Sequence, residues 1–183
     1  FSDKAFGEKL AAGNVKLSSA NSINWGRLVP QIVYYFSAYA DLLEKGTIAA
    51  GESIDFCVPT GNFGDILAGY YAKRMGLPVA KLICASNSNN VLTDFLQTGV
   101  YDKKRDFYKT ISPSMDILIS SNLERLLYHE TQDVALVRGW MEELAAKGRY
   151  EVGETVLQNL KETFWAGWVD DAATKETIRG VYE

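Results

Sequence analysis

The run Thr60-Gly61-Asn62-Phe63-Gly64-Asp65 has the residue types and spacing to hold an anion. It follows Ile54-Asp55-Phe56-Cys57-Val58, a short apolar, β-branched and aromatic stretch that suits a buried strand. Pro59 ends that strand, because proline cannot donate to a sheet ladder. From Asp65 onward, Ile66, Leu67, Tyr70, Tyr71 and Met75 recur at helical spacing, and Gly76 before Leu77-Pro78 stops the helix. Gly61 and Gly64 are expected to supply backbone angles that a side chain forbids. The first turn of a helix has N–H groups without partners, its dipole favours negative charge, and a glycine turn adds a concave nest. Phosphate is the usual guest of such a site. The turn has no Gly-Lys-Ser/Thr ending of a nucleotide P-loop, and no third glycine or early acidic residue of a dinucleotide fingerprint. Taken alone, an ordinary packing turn explains these glycines as well as a binding site does.

A second polar run, Ser18 to Arg27, contains Asn21, Ser22 and Asn24 and ends in an arginine. Serine and asparagine favour turns and helix caps, so a capping loop and a polar cradle for a small ligand both fit. A third polar loop, Ser86 to Asn90, follows the strand pattern Val79–Ala85. His129, the only histidine, has no second ligand or nucleophile at a useful spacing and reads as a surface or half-buried residue. Lys103-Lys104-Arg105 reads as a solvated loop.

The elements that position these runs alternate. An amphipathic helix over residues 1–12 gives way to a strand start at Val15-Lys16-Leu17. A long helix follows with Leu28, Val29, Ile32, Val33, Phe36, Tyr39 and Leu43 on one stripe, Pro30 being early enough to be tolerated. The strand at Ile54, the helix after Asp65 and the strand at Val79 come next. This order is that of an α/β fold: an open, mostly parallel three-layer sheet with helices on both faces. Ligands in such folds sit outside the carboxyl ends of the strands, so the 60–65 turn and the 86–90 loop are expected to share one edge. Asn90 to Thr98 reads as a short helix ended by Gly99. Asn122 to His129 begins another, with an asparagine or serine cap. Ser112 to Ile117 is irregular. From Asp133 the chain reads as almost all helix, with one stripe over Val134, Val137, Trp140, Met141 and Leu144 and a second over Val156, Leu157, Leu160, Phe164, Trp165 and Trp168.

Composition narrows the function classes. A formal net charge of −4 argues against a nucleic-acid partner. Two cysteines and one histidine are too few for most structural zinc sites, so no metal is expected. Cys57 and Cys84 lie in apolar strand patterns and read as buried reduced thiols, which fits a cytoplasmic compartment. No apolar run reaches transmembrane length, so no membrane partner is expected. The sequence opens at Phe1 rather than methionine, as an excised piece would.

Four blocks taken together resemble threonine synthase, a pyridoxal-phosphate family of the tryptophan-synthase-β-like fold. They are Asn21-Ser22-Ile23-Asn24-Trp25-Gly26-Arg27 leading into Pro30-Gln31-Ile32 and Tyr34-Tyr35-Phe36; Val58 through Tyr70; Ser112-Pro113-Ser114-Met115-Asp116-Ile117; and Ser121-Asn122-Leu123-Glu124-Arg125. The resemblance covers essentially the whole chain and implies a partial fold of that type with a helical C-terminal part. It implies that residues 1–24 end an upstream, mobile domain with its connecting strand. Residues 25–130 would form the α/β domain that binds the cofactor phosphate, and 131–183 its truncated C-terminal part. The reaction implied converts O-phosphohomoserine and water to threonine and phosphate, with the cofactor as electron sink. Carried over, Gly61, Asn62, Phe63, Gly64 and Asp65 offer backbone N–H groups to the phosphate of pyridoxal phosphate, with the Asp65 carboxylate turned away to cap the helix. Ser22, Asn24 and Arg27 match a polar block on the substrate side, and Asn87 and Asn89 line the cleft or simply cap their loop.

The sequence also departs from that family. The lysine that the family links to the cofactor belongs to a segment upstream of these residues, and the contact to the pyridine nitrogen belongs to a later one. The expectation is therefore a central-to-C-terminal piece with no catalytic residue of its own, inactive alone and binding the cofactor weakly, with apolar surface that promotes self-association. Two alternatives stay open: another pyridoxal-phosphate β- or γ-replacement enzyme of the same fold, and a non-catalytic α/β module that binds an anion or a partner.

Overall fold

The computed structural model describes residues 3–18 and 20–183. Phe1 and Ser2, counted above in the first helix, and Ser19, counted in the polar run, lie outside the described residues. In chain order the elements are α1 (Lys4–Ala12), α2 (Trp25–Leu28), a 3-10 turn (Val29–Gln31), α3 (Ile32–Glu44), β1 (Ile54–Pro59), α4 (Gly64–Arg74), β2 (Val79–Ser86), α5 (Val91–Thr98) and β3 (Val100–Asp102). A second 3-10 turn (Pro113–Met115), α6 (Leu123–Thr131), α7 (Val134–Lys147), β4 (Arg149–Glu151), α8 (Glu154–Thr163), β5 (Phe164–Trp168) and α9 (Asp171–Tyr182) complete it. Aspartates begin three of the helices by accepting from the first turn: Asp3 from Phe6 N–H at 3.0 Å, Asp133 from Leu136 N–H at 2.9 Å and Asp170 from Ala173 N–H at 2.8 Å.

The main sheet has the order β1-β2-β5 and both pairings are parallel, Pro59 lying beside Ala85 and Ala85 beside Gly167. Side chains alternate across it. Phe56, Val58, Leu82, Cys84, Phe164 and Ala166 face the helices, where the Tyr35 ring of α3 meets Phe56 at 4.9 Å and Phe63 meets Phe164 at 5.7 Å. On the other face Cys57 is exposed and Trp165 is 60% exposed. A two-stranded antiparallel pair, β3 with β4, carries the stacked rings of Tyr101 and Tyr150, 5.3 Å apart, over Phe95 and Trp140.

Several expectations are corrected here. Val15–Leu17 forms no strand. The helix expected over 28–43 is broken by Pro30, whose missing N–H and fixed φ suit the 3-10 turn that separates α2 from α3. Its buried face is Tyr35 and Tyr39, whose hydroxyls find carbonyl acceptors at Asp65 and Glu52, while Val33 and Phe36 are exposed. Continuous helix after Asp133 is interrupted twice. Arg149–Glu151 pairs with β3, and Phe164, Trp165 and Trp168, expected on a helical stripe, lie on β5. Those aromatics suit a pleated surface beside β2 better than another turn of α8. Cys57 is not buried, because β1 sets it on the open face. Within the basic run, Arg105 is drawn into an ion pair with Asp94 at 2.8 Å. Gly99 and Gly148 end α5 and α7 in the left-handed region, as glycine permits.

Candidate functional site

The end of β1 delivers the chain to α4 through Thr60–Phe63, with Thr60 N–H still bonded to Ala85 O at 2.8 Å. The carbonyls of the turn are then tied back. Gly61 O accepts from Ser120 Oγ at 2.9 Å, and Asn62 O accepts from Asn122 N–H at 3.1 Å and Asn122 Nδ2 at 2.9 Å. Because C=O and N–H point opposite ways across a peptide, pinning the carbonyls turns the amides toward the opposite side. Among the described residues, the N–H groups of residues 61–65 have no protein acceptor. Phe63 is in the left-handed conformation, φ 64 and ψ 6, and precedes the first residue of α4. Successive amides around such a residue form a nest, and the positive end of an 11-residue helix lies behind it. A left-handed phenylalanine is strained, of order 1–3 kcal/mol, and burial at 1% exposure against Phe164 is what holds it.

The glycines act differently from the expectation. Neither Gly61 nor Gly64 has a positive φ; Phe63 between them does. Both are needed for space. A Cβ on Gly61 would lie 2.6 Å from Ser114 O, and one on Gly64 would lie 3.2 Å from Ser22 Cβ. The turn, Ser22, Arg27, Gln31 and Ser114 enclose a cavity of about 180 Å³. A water needs about 10–15 Å³ of such space and a whole small-molecule pocket ~300 Å³ or more. The cavity therefore has room for a small group rather than an entire ligand. The Asp65 carboxylate does not cap α4 as expected; it accepts from the Tyr35 hydroxyl at 3.2 Å, beside a 2.9 Å bond from the same hydroxyl to Asp65 O. Burial raises the Asp65 pKa, opposed by the Tyr35 hydrogen bond, and burial raises that of Tyr35, helped by the Asp65 charge.

Comparison with protein-family models gives no match. Threonine synthase from Pseudomonas aeruginosa is 44% identical over 168 residues, and the yeast enzyme is 39% identical over 193 residues and 100% of the chain. Human threonine synthase-like 1 is 48% identical over 168 residues. Among solved structures, a PLP-bound threonine synthase from Brucella melitensis superposes with a TM-score of 0.83 at 46% identity over 93% of this chain. The yeast structure superposes with a TM-score of 0.87 over 98% of it.

The chain belongs to the threonine synthase family. It spans 34% of the Pseudomonas protein, 36% of the yeast one and 23% of the human one, so it corresponds to about a third or less of these relatives.

Against that family background, the structure brings Gly61, Asn62, Phe63, Gly64 and Asp65 together with Ser22 and Arg27 around one cavity. Asn24 stands outside its lining; its side chain caps α2 by accepting from Gly26 N–H at 2.9 Å. Asn122 precedes α6 without capping it, its amide being committed to Asn62 O and Ser22 Oγ. Asn87 and Asn89, at 3% exposure each, turn from the cavity toward the 108–116 loop. His129 is half-buried, with Nε2 2.9 Å from the Tyr71 hydroxyl. Sequence reasoning missed Gln31, Ser114, Ser120 and Asn122 as parts of the site. Their local patterns read as a helix, an irregular segment and a cap; tertiary packing brings Gln31 and Ser114 to the cavity and Ser120 and Asn122 to the 61–62 carbonyls.

Proposed function

We propose that this segment grips the phosphate group of pyridoxal phosphate within a longer enzyme that converts O-phosphohomoserine and water to threonine and phosphate. The observation that carries the reading is the set of amides at residues 61–65, left without protein acceptors and turned into a cavity of phosphate size. The donor chemistry fits: uncharged amides at a helix start complement a dianion, and the one carboxylate nearby is bonded to Tyr35. When bound, pyridoxal phosphate supplies an electron sink for the carbon chemistry of an amino-acid substrate. The residues here bind and orient. Gly61 to Asp65 donate to the phosphate, Ser120 and Asn122 hold the turn, and Ser22 and Arg27 face the substrate side, with Asn24 fixing the helix that carries Arg27.

In this reading residues 1–24 close a neighbouring domain, 25–130 form the phosphate-binding domain and 131–183 its C-terminal part. No lysine lines the cavity among the described residues. The same reading has the chain inactive by itself, the covalent lysine belonging to another segment of the full protein. A cytoplasmic location belongs to the same reading, and so does self-association through exposed Val33, Trp165 and Trp168. No helix among the described residues is long and apolar enough to cross a membrane.

Titration of the ¹⁵N-labelled chain with inorganic phosphate tests the cradle. Charge-assisted bonds contribute roughly 1.5–3 kcal/mol each before the cost of association. A Kd of about 1 mM, equivalent to about −4.1 kcal/mol, is the expected order. The amide resonances of residues 61–65 should shift together; a folded spectrum in which they stay still at tens of millimolar phosphate, as an order of magnitude above that Kd, removes the reading.

A further inference from the structure

The loop that walls the cavity opposite α4 has no regular structure apart from one 3-10 turn, yet it stands close enough to forbid a side chain at residue 61. One carboxylate gathers the largest share of the hydrogen bonds that hold it there. Asp116 Oδ1 accepts from Asn87 Nδ2 at 2.8 Å, Asn89 Nδ2 at 3.0 Å and Thr110 Oγ1 at 2.7 Å, while Oδ2 accepts from Thr110 N–H at 3.0 Å. Asn89 also exchanges two hydrogen bonds with the Tyr108 backbone, at 2.8 and 2.9 Å. Both asparagines stand at the carboxyl end of β2, the strand beside β1, so the network fastens the loop to the same sheet that launches the cradle turn. The loop then runs through Ser114 to Ser120 and Asn122, the groups that hold the Gly61 and Asn62 carbonyls. Burial works against the Asp116 charge, and the hydrogen bonds from Thr110, Asn87 and Asn89 outweigh it, leaving its pKa below the ordinary value.

We propose that Asp116, clamped by Asn87 and Asn89, is a positioning residue that fixes the 110–122 loop at the distance from Gly61 that fits the cavity to a phosphate group. This rests on the phosphate-cradle reading and adds to it the device that sets the cradle's width. Asp116 touches neither the cavity nor its guest; it acts through the loop.

The decisive comparison uses the full-length protein and two ligands, pyridoxal phosphate and pyridoxal. Asp116→Asn keeps the shape but places an NH₂ where donors already converge. Thr110→Val keeps volume and removes one of the four bonds to Asp116, together with the Thr110 Oγ1 contacts to Asn87 Nδ2, Ser112 N–H and Ser112 Oγ. Expected for Asp116→Asn is a loss of about tenfold or more in pyridoxal-phosphate affinity with pyridoxal affinity unchanged, and a smaller shift of the same sign for Thr110→Val. The ³¹P resonance of the bound cofactor should move in both variants. Equal losses for the two ligands, or no loss for either, overturn the proposal. Should Asp116→Asn not fold, Thr110→Val decides by the same ratio. Gly61→Ala separates the two readings. If it leaves the ligand ratio at the wild-type value, the cradle itself is wrong; if it lowers the ratio while both clamp variants do not, only the clamp is wrong.

Discussion

Replacing Gly61 by alanine places a methyl group 2.6 Å from Ser114 O and 3.3 Å from Met115 Cα. Both are backbone atoms, in a loop fastened through Asp116, so no side-chain rotation relieves the collision. Gly61 has no positive φ, so no dihedral penalty is mixed into the effect. Overpacking of this kind costs about 1–3 kcal/mol, and relief comes only by pushing the 112–117 loop outward and widening the cavity. The substitution should therefore lower stability by that amount and weaken phosphate binding by about tenfold for each ~1.4 kcal/mol lost at the site. Gly64→Ala, whose nearest neighbour is the Ser22 side chain at 3.2 Å, should cost less. Gly139→Ala, within α7 and with nothing within 4 Å, is the control; it should gain up to about 1 kcal/mol from helix propensity alone. Urea denaturation of the three variants, with pyridoxal-phosphate titration of the full-length protein, measures both quantities. A Gly61→Ala protein as stable and as tight as wild type would refute the close approach of the two loops.

Two other outcomes follow from burial and charge. Burial pushes the Cys84 thiol up to about 12, whereas Cys57 is exposed, so a thiol reagent should label one site rapidly in the native chain and both in denaturant. Cys57→Ser should abolish the rapid phase; labelling of Cys84 in the native state would contradict the packing of β2. Burial, and then the neighbouring Arg74 charge, lower the pKa of His129 below its ordinary value of 6.5. Its stability contribution is fully present above that ordinary value and is lost as pH falls through the lowered folded value. His129→Gln should flatten the acid side of the stability–pH curve, and an unchanged slope would show that another group titrates there.

The fold was legible wherever a segment's own chemistry decides its state. The run from Ile54 to Gly76 carries a β-rich stretch, a proline stop, a helical stripe and a glycine end, and the structure follows each in turn. Phe164 to Trp168 was not legible, because apolar residues spaced by three and four fit a helix face as well as a strand. Pairing with β2 settled it, and that partner lies some eighty residues earlier. The candidate site divides the same way. Glycines at 61 and 64 flagged the turn, since local spacing alone marks a helix start with free amides. Which residue would take the strained angle was invisible, and it proved to be the buried Phe63 rather than either glycine.

The sequence by itself determined that a strand runs into a helix through a glycine-bearing turn, because those are properties of neighbouring residues. The tertiary structure alone decided that the amides are free and the cavity has its size. Those depend on carbonyls held by Ser120 and Asn122 from some sixty residues away and on a loop anchored by Asp116. Contacts of such separation exist only once the chain has closed on itself, and no local pattern encodes them.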